Sequence, residues 1–420
     1  MPEIKEALRD FNQWWKEPFK VEFKEREVYA QIQKYLAMPH IIAFTGLRRT
    51  GKTTLMLKIV EDSIRSGFNA ENIIYFSFDE FREVEIRKIM GEYEELMERD
   101  LKKGRYILIL DEIQKLSSWE NQLKRIYDAF GKNIKIIVSG SESLFIKRKS
   151  KETLAGRIFD FKTEPLSFRE FLLFKNINFK PIGLYEKEFI RLLDEYTLTL
   201  GFPELVNIKD KEIIKKYIKD SIVEKVVFRD MQSLFKIKDI SLIESLLNIL
   251  IEEPGQLVDI SGLSKELNIS RQTLSSYLTY LEESFLIKKL YNYSKSRRKV
   301  ERKLKKYYPA IISADLLFKE DEFSKSKVFE WLMVMQLKAE FFWRDPYKNE
   351  VDIVLAEKKP VPIEVKYGKI GTHGILAFMR KFKAYQGIII TKNKEEKHKV
   401  NSMDILFIPA YKYLLRQYKK

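Results

Sequence analysis

The sequence predicts an α/β protein whose first domain contains a parallel β-sheet covered by helices on both faces. Short runs of β-branched and aromatic residues recur in the first third of the chain, and helical patterns lie between them. Each run is apolar at nearly every position, which is typical of strands that are buried on both faces. The predicted strands are IIAFT (41–45), IIYFSF (73–78), YILIL (106–110) and IKIIVSG (134–140).

Changes of pattern divide the rest of the chain. At about 100–200 residues per domain, 420 residues predict two to four domains. The pattern is wholly helical from about 185 to 250, two short helices and basic runs follow, and a β-rich pattern starts near Phe341. We predict four domains: an α/β core at 1–180, a helical lid at 181–240, a winged helix at 241–310 and a C-terminal α/β domain at 311–420.

Composition excludes several classes of protein. The chain has no cysteine, which excludes disulfides, thiol nucleophiles, iron–sulfur clusters and cysteine-bound zinc, and its three histidines are scattered. It has no apolar run of the roughly 18–20 residues that a membrane span needs, and its start lacks the apolar core of a signal peptide. We therefore expect a soluble cytoplasmic protein, and its richness in Lys, Glu and Ile is typical of thermophiles.

Positive charge is concentrated in one part of the chain. There are 77 Lys and Arg against 61 Asp and Glu, so the formal net charge is +16. Residues 288–306, called the basic segment below, hold ten basic residues and a single acid, Glu301, and so supply +9 of that charge. Such a field favours polyanionic partners such as a nucleic acid. The alternative is a solvated lysine-rich surface.

A phosphate-binding loop follows the first predicted strand directly. GLRRTGKTT (46–54) fits the pattern G-x-x-x-x-G-K-[ST]. The glycines let backbone N–H groups surround a phosphate at a helix N-terminus, the lysine reaches the β- and γ-phosphates, and the threonine hydroxyl ligates Mg²⁺. The sequence thus predicts a site for ATP and Mg²⁺ formed by Gly46, Leu47, Arg48, Arg49, Thr50, Gly51, Lys52, Thr53 and Thr54.

Two carboxylates come at the end of the third predicted strand. Asp111 is placed to hold Mg²⁺ together with Thr53, and Glu112 to polarise the attacking water, which favours hydrolysis over binding alone. The alternative is that the pair caps a helix N-terminus. Ser139 or Ser141, at the end of the fourth strand, would orient the water, unless these hydroxyls only mark a polar strand end.

A single arginine is a further candidate for catalysis. Arg157, in TLAGR, would touch the γ-phosphate in its own or a neighbouring subunit. An arginine there stabilises the negative charge that spreads over the transferring phosphoryl group. The alternative is an ordinary exposed arginine.

Several motifs together resemble a known family. GLRRTGKTT, LILDEIQ, VSGSES, TLAGR with PLSFREFL, and GFPEL are similar to those of archaeal and bacterial AAA+-type ATPases that carry a winged helix and a nuclease-like C-terminal domain. The resemblance covers nearly the whole chain, and the run from TLAGR to SFREFL is its most specific part. It implies that Gly201, Phe202 and Pro203 form a lid segment against the adenine, whereas local pattern alone predicts a turn there.

Residues 258–290 have the layout of a helix–turn–helix, with Ser270 as the cap of the second helix. The strand FLIKKL (285–290) and the basic loop SKSRRK (294–299) would follow as hairpin and wing. The candidates for DNA contact are Arg271, Gln272, Ser275 and Ser276 of the second helix and Arg297, Arg298 and Lys299 of the wing. The alternative is a lid or a protein-docking module.

A second set of charged residues lies in the C-terminal block. Asp352 falls in one predicted strand and Glu364 and Lys366 in the next, and a three-residue EKK turn places Asp352 opposite Glu364. Two adjacent carboxylates repel each other unless a divalent cation, Mg²⁺ or Mn²⁺, lies between them. The spacing fits the PD-(D/E)XK nuclease fold, with Glu330 as its helical carboxylate and Gln386 as an accessory residue. The alternative is a fold kept for docking without its chemistry.

These features together predict an Mg²⁺-dependent ATPase that acts on or near DNA and carries a nuclease-like C-terminal domain. The alternative is a nucleotide-dependent regulatory switch whose C-terminal domain is inactive and binds a protein partner. Both interpretations are compatible with a homo-oligomer.

Overall fold

The computed structural model describes residues 3–81, 83–140, 153–220, 240–368 and 371–416. Ser141, one of the two serines predicted to orient water, lies outside these ranges. The chain divides into two units, Met1–Leu166 and Ser167–Lys420. Within the described ranges, no helix has the length and the apolar character needed to cross a membrane.

The first unit is built on a five-stranded parallel sheet in the order β2-β3-β4-β1-β5. Its strands are β1 (Ile41–Thr45), β2 (Ile73–Ser77), β3 (Tyr106–Asp111), β4 (Ile134–Gly140) and β5 (Ile158–Lys162). The predicted parallel sheet is confirmed, and its first four strands agree with the prediction to within one residue. The edge strand β5 was not predicted because its residues are only half-buried or exposed, so it lacks a continuous apolar pattern.

Helices cover both faces of this sheet. They are α1 (Ile4–Phe11), α2 (Glu27–Leu36), α3 (Lys52–Arg65), α4 (Ile86–Met97) and α5 (Trp119–Phe130). Successive residues of β1 alternate between two cores. Ile41 and Ala43 pack in the core that contains residues of α1, α4 and α5, and Ile42 and Phe44 pack in the core that contains residues of α2 and α3. This two-sided burial explains why the strand is apolar at every position.

The carboxyl ends of the parallel strands bring the predicted site residues to one edge of the sheet. Thr45, the last residue before the phosphate-binding loop, pairs with Gly140, which follows Ser139. On the other side of β4, Ser77 pairs with Asp111 at the ends of β2 and β3. The sheet itself therefore places the loop, the acidic strand end and the serine side by side.

The second unit combines helices with a nine-stranded mixed sheet in the order β13-β14-β12-β11-β10-β9-β7-β8-β6. Its strands are β6 (Gln256–Val258), β7 (Ile287–Asn292), β8 (Lys305–Pro309), β9 (Phe341–Arg344), β10 (Glu350–Leu355), β11 (Val361–Lys366), β12 (Gln386–Thr391), β13 (Glu396–Val400) and β14 (Met403–Pro409). Its helices are α6 (Phe168–Phe174), α7 (Glu186–Thr199), α8 (Lys211–Lys216), α9 (Ile240–Glu252), α10 (Ile260–Glu266), α11 (Arg271–Glu283), α12 (Arg297–Arg302), α13 (Ala314–Phe318), α14 (Glu322–Gln336), α15 (His373–Phe382) and α16 (Ala410–Arg416).

One strand pair joins the predicted winged helix to the C-terminal sheet. β7 pairs in parallel with β9, with Tyr291 beside Phe341 and Asn292 beside Phe342. The buried Asn292 side chain extends the pairing, because its Nδ2 donates to the Arg344 carbonyl at 2.9 Å and its Oδ1 accepts from the Arg344 N–H at 3.2 Å. A single sheet therefore continues across the boundary predicted near residue 310, and the division into four domains stays a prediction.

The structure differs from the predicted wing in its secondary structure. The loop expected at 294–299 is partly helical, because α12 begins at Arg297 and ends at Arg302. Val300 is buried, and this single apolar residue anchors the short helix on the fold while Arg297 and Arg298 stay exposed. The strand expected at 285–290 lies two residues further along, as β7.

The helix–turn–helix and the C-terminal hairpin follow their local patterns. The Ser270 hydroxyl accepts from the Thr273 N–H at 3.0 Å and caps α11, as predicted. In the hairpin, Ile353 pairs with Ile363, and one step further along this register Asp352 lies opposite Glu364. The register predicted from the length of the turn is therefore confirmed.

Candidate functional site

The phosphate-binding loop needs its two glycines for different reasons. Gly46 has a φ of +136°, and a Cβ built on it would lie 2.2 Å from the carbonyl oxygen of Thr163. Gly51 has a φ of +94° and precedes α3, which begins at Lys52. The first glycine thus permits a close approach to the chain after β5, and the second permits the left-handed turn into the helix.

Lys52 is buried beneath the loop. Its Nζ lies 3.1 Å from the Gly46 carbonyl oxygen and 2.9 Å from the Leu47 carbonyl oxygen. The ammonium group therefore lies beside the loop at the N-terminus of α3, where free backbone N–H groups also favour an anion. This combination of a glycine-shaped loop, a helix N-terminus and a fixed cation suits a nucleotide phosphate.

Arg26 supports the loop and was not predicted. It is buried, its Nη1 donates to the Thr50 carbonyl at 2.8 Å, and its Nη2 donates to the Glu164 carbonyl at 2.7 Å. The planar guanidinium thereby ties the loop to the segment that follows β5. Nothing in its local pattern distinguishes Arg26 from the charged residues around it.

The Asp111 carboxylate accepts hydrogen bonds on both oxygens. Oδ2 accepts from the Thr53 hydroxyl at 2.7 Å and from the Tyr75 hydroxyl at 2.8 Å. Oδ1 accepts from the Ser139 hydroxyl and, at 3.0 Å, from the backbone N–H of Glu112. Asp111, Thr53 and Ser139, predicted from separate motifs, therefore meet at one carboxylate.

Tyr75 is a site residue that the sequence analysis missed. Burial and then the charge of Asp111 raise its pKa, so the phenol stays protonated and donates. Tyr75 lies two residues before Ser77, which pairs with Asp111, and so both side chains face the same side of the sheet. A polar residue at this spacing in the neighbouring buried strand was the signal that could have found it.

Glu112 is held next to this cluster. Its backbone has a φ of +53°, and its Oε2 accepts from the Gln114 Nε2 at 2.6 Å. Its N–H also donates to the Ser139 Oγ at 3.0 Å. Gln114 thus orients the predicted general base, and it too was missed by the sequence analysis.

The structure brings some of the predicted nuclease-like residues together and separates one of them from the rest. Asp352 and Glu364 are buried, and the Asp352 Oδ2 accepts from the Val365 N–H at 2.8 Å. Lys366 Nζ lies 3.4 Å from the Glu364 Oε2. Gln386 is exposed at the start of β12, three residues before the Ile389 that pairs with Glu364, which is about 10 Å along the strand. The structure therefore does not bring Gln386 to the carboxylates.

A buried lysine that was not predicted lies among these carboxylates. Lys306 of β8 pairs with Glu350 at 2.5 Å and with Glu330 at 3.3 Å. The Tyr308 hydroxyl donates to the same Glu330 oxygen at 2.6 Å. Burial alone would lower the pKa of Lys306, but the charges of Glu330 and other neighbouring groups outweigh burial and raise it, so the lysine stays charged.

The same neighbours set the charge of the carboxylates. Burial and then the charge of Glu330 raise the pKa of Asp352 to about 7. Burial favours a raised pKa for Glu330, but Lys306, the Tyr308 hydrogen bond and Lys366 together outweigh burial and lower the pKa. Burial raises the pKa of Glu364. Glu330 is thus the ionised partner of Lys306, while Asp352 carries a proton below neutral pH.

Glu364 also caps a helix. A Cβ built on Gly374, in the first turn of α15, would lie 2.0 Å from the Glu350 carbonyl oxygen and 2.8 Å from the Glu364 Oε1. The backbone N–H of Ile375 hydrogen-bonds to the Glu364 carboxylate.

Over the part of the chain that the structure describes, no three carboxylate or imidazole side chains form a group that could hold a metal ion.

The predicted DNA-contacting residues lie on the surface of the second unit. Arg271, Gln272 and Ser275 of α11 are exposed, and Ser276 is half-buried. In the basic segment Arg297, Arg298 and Lys299 are exposed. Their accessibility is what contact with a polyanion requires.

Comparison with known protein families matches residues 38–172 to the family described as "AAA domain". The matched range contains the loop, Asp111 and Ser139. Residues 38–172 therefore match an AAA-type P-loop ATPase domain. Two further ranges, 190–310 and 327–412, each match a family described only as a domain of unknown function.

Two proteins that are similar in sequence are described only as uncharacterized. One from Methanocaldococcus jannaschii is 29% identical over 93% of this chain and 92% of its own length. One from Haemophilus influenzae is 29% identical over 64% of this chain and 66% of its own length. Their names state no activity that could be compared with this chain.

Solved structures resemble the chain at a low level. The Walker-type ATPase of Pyrococcus abyssi aligns with a TM-score of 0.45 and 15% identity, over 72% of this chain and 99% of its own. The ORC1 protein of Aeropyrum pernix, solved in complex with DNA, aligns with a TM-score of 0.34 and 15% identity, over 76% of this chain and 95% of its own. The AAA assignment rests on the family match and on the loop geometry.

Of two further residues predicted for the AAA site, the structure places one away from it and leaves the other untested. The Arg157 carbonyl accepts from the N–H of Ile41, at the start of β1, whereas the P-loop follows the end of that strand, about 13 Å away. Its guanidinium pairs with Asp128 at 3.1 Å. Arg157 therefore does not face the P-loop of its own chain. Pro203, expected against the adenine, belongs to the second unit, and its role stays a prediction.

We expect Gly46→Ala to weaken nucleotide binding by about tenfold or more, because the new Cβ meets a backbone carbonyl that cannot move without displacing β5. The measurement is a titration with a fluorescent ATP analogue. Gly67→Ala is the matched control, since its φ of +90° carries similar backbone strain but its Cβ would meet no atom within 4 Å. Equal affinity in the two variants would contradict the close-approach argument.

Proposed function

We propose that this protein is an Mg²⁺-dependent ATPase that acts on or near DNA. The observation that carries the ATPase part is a contact between the P-loop and the end of β3. The Thr53 hydroxyl donates a hydrogen bond to the Asp111 Oδ2 at 2.7 Å. Hydroxyl and carboxylate oxygens are the hard ligands that Mg²⁺ prefers, so these two residues would hold the ion. Mg²⁺ would neutralise charge on the β- and γ-phosphates, and Lys52 would add a second positive charge there.

Glu112 supports hydrolysis in addition to binding. It directly follows the metal-binding Asp111, and Gln114 holds its carboxylate in place. A fixed carboxylate next to the nucleotide can take a proton from the attacking water. Ser139 donates to the Asp111 carboxylate and accepts from the Glu112 N–H, and so it would fix the position of Asp111 relative to the Glu112 backbone. Arg157 would act only on the nucleotide of a neighbouring copy, which makes a homo-oligomer part of this proposal.

We expect Lys52→Ala to weaken ATP binding and Glu112→Gln to leave binding intact while lowering turnover by about 100-fold or more, because only the second change removes the base alone. Phosphate release and nucleotide titration measure the two effects separately. Glu98→Gln is the matched control, because Glu98 is an exposed glutamate of the same unit with a similar positive φ. Turnover by Glu112→Gln at the parent rate would refute the role of Glu112.

The DNA part of the proposal is supported by charge and exposure. The basic segment supplies +9 of the net charge of +16, and its arginines at 297 and 298 are exposed. The exposed polar face of α11 lies in the same helix–turn–helix layout that reads DNA in other proteins. Phosphate contacts would supply affinity, and α11 would supply any sequence preference.

We expect the triple change of Arg297, Arg298 and Lys299 to Ala to weaken binding to all duplex sequences and to flatten the dependence of log K on log salt by about 0.9 per lost phosphate contact. Fluorescence anisotropy at several salt concentrations measures both. The control changes Lys187, Lys358 and Lys399 to Ala, which removes the same charge from exposed positions outside the basic segment. Slopes that match in the two variants would favour a protein-docking module.

A specific observation favours a second function for the C-terminal sheet. Its carboxylates already have protein partners, because Lys306 and Tyr308 bind Glu330, the Val365 N–H binds Asp352, and Glu364 caps α15. Lys306 neutralises Glu330 and Glu350, and such an ion-pair cluster stabilises the fold without providing nuclease chemistry. We therefore propose as the second candidate that this part of the chain is a catalytically inactive docking module for a protein partner.

We expect the parent protein with Mg²⁺ or Mn²⁺ to leave supercoiled plasmid DNA uncut while it hydrolyses ATP. The reason is that Lys306 already neutralises Glu330, while Asp352 and Glu364 each accept a backbone hydrogen bond. Gel analysis of the plasmid and phosphate release measure the two activities. Asp352→Ala and Lys366→Ala serve as controls for contaminating nuclease. Metal-dependent nicking by the parent that vanishes in both variants would refute the docking proposal and establish a nuclease.

A further inference from the structure

The second unit contains a cleft of about 590 Å³ that is lined partly by the predicted wing and partly by the C-terminal sheet and its helix. Its walls come from the end of β7, from α12 and the residues after it, from the turn between β9 and β10, and from the end of α15. Its cationic lining residues are Lys295, Lys299, Lys303, Arg344 and Lys381, and Asp345 is the carboxylate among the described lining residues.

The charges of this cleft are unbalanced. Asp345 is engaged within its own turn, where it accepts from the Asn349 backbone N–H and Nδ2, both at 2.9 Å. Arg344 is paired with Glu350 at 2.8 Å. The four lysines have no carboxylate within ion-pair distance among the side chains that the structure describes. Asp345 thus offsets only part of the positive charge, because five cationic side chains line the cleft against this one described carboxylate.

Two of these lysines are held in place by the fold. Lys303 Nζ lies 3.3 Å from the Asn292 Oδ1 and 3.4 Å from the Tyr293 carbonyl oxygen. Lys381 Nζ lies 5.3 Å from the centre of the Trp343 ring, at cation–π distance. Burial and then the nearby charges of Lys381 and Lys299 lower the pKa of Lys303. The lowered pKa reflects the cost of holding this ammonium group, partly buried, beside two other positive charges. An anion in the cleft would relieve that cost.

The floor of the cleft is aromatic. Tyr293 and Phe382 lie edge to face, with ring centres 5.2 Å apart, and both are partly exposed. Aromatic rings beside fixed cations suit a ligand that alternates flat bases with phosphates. A duplex keeps its bases stacked inside and presents phosphates alone, whereas an unpaired strand can turn a base towards the rings.

We propose that this cleft binds single-stranded DNA, with phosphates on Lys299, Lys303 and Lys381 and a base against Tyr293 and Phe382. The proposal rests on the DNA part of the proposed function and assigns it a site that includes the C-terminal sheet. The β7–β9 pairing and the Asn292 side chain, which contacts both Arg344 and Lys303, fix the two walls relative to each other. The cleft is therefore preorganised for its ligand.

The test compares Lys303→Gln/Lys381→Gln with Lys187→Gln/Lys399→Gln, which removes the same charge from exposed positions outside the cleft. Binding of a short oligothymidylate and of a short duplex is followed by anisotropy over a range of salt concentrations. We expect the cleft variant to lose two phosphate contacts and to flatten the single-strand salt slope by about 1.4, at about 0.7 per contact. Lys303→Arg/Lys381→Arg, which keeps the charge, should restore the slope and so excludes misfolding as the cause.

The outcomes separate this inference from the proposed function. Oligothymidylate binding by the parent with equal slopes in the cleft and control variants would overturn the cleft and leave the DNA proposal intact. A slope change seen with the duplex alone would overturn the assignment to single strands. Absence of binding to either DNA by the parent would overturn the DNA part of the proposed function together with the cleft.

Discussion

The first unit depends on one buried carboxylate that accepts hydrogen bonds from four residues, one in the P-loop helix, two in neighbouring strands and one directly after its own strand. Asp111 accepts from Thr53 at the start of α3, from Tyr75 in β2, from Ser139 in β4 and from the N–H of Glu112. A buried carboxylate without such donors would be costly, so each hydrogen bond offsets part of its desolvation. Asp111 therefore fixes the relative positions of the P-loop helix, the two neighbouring strands and the backbone of the predicted base.

A different balance of charge organises the second unit. Lys306 from the predicted winged helix lies among carboxylates of α14 and the C-terminal sheet, and the two parts also share strand pairing through β7 and β9. Removing one partner of a buried ion pair is more costly than the pair is worth, so Lys306 secures the junction rather than adding much stability. Movement of the predicted winged helix against the C-terminal sheet would require both the strand pairing and this charge cluster to break.

Two groups of lysines in this unit therefore have different surroundings. Lys306 is enclosed by carboxylates, whereas Lys303, three residues earlier in the same segment, faces Lys299 and Lys381. The alternation of strand side chains sends neighbouring residues of β8 to opposite faces, and the short helix α12 carries the rest of the segment away from the sheet. The net charge of the basic segment therefore does not show that some of its lysines are neutralised by carboxylates while others lie among further lysines.

The sequence alone determined the features that depend on local spacing. The P-loop, the acidic strand end, four of the five strands and the opposition of Asp352 and Glu364 follow from residue order, because backbone period and turn length act over a few residues. Only the tertiary structure decided which distant residues meet. Arg26, Tyr75 and Lys306 joined the sites, and Arg157 and Gln386 were placed away from them, because strand order and register bring together or separate positions that no local pattern relates.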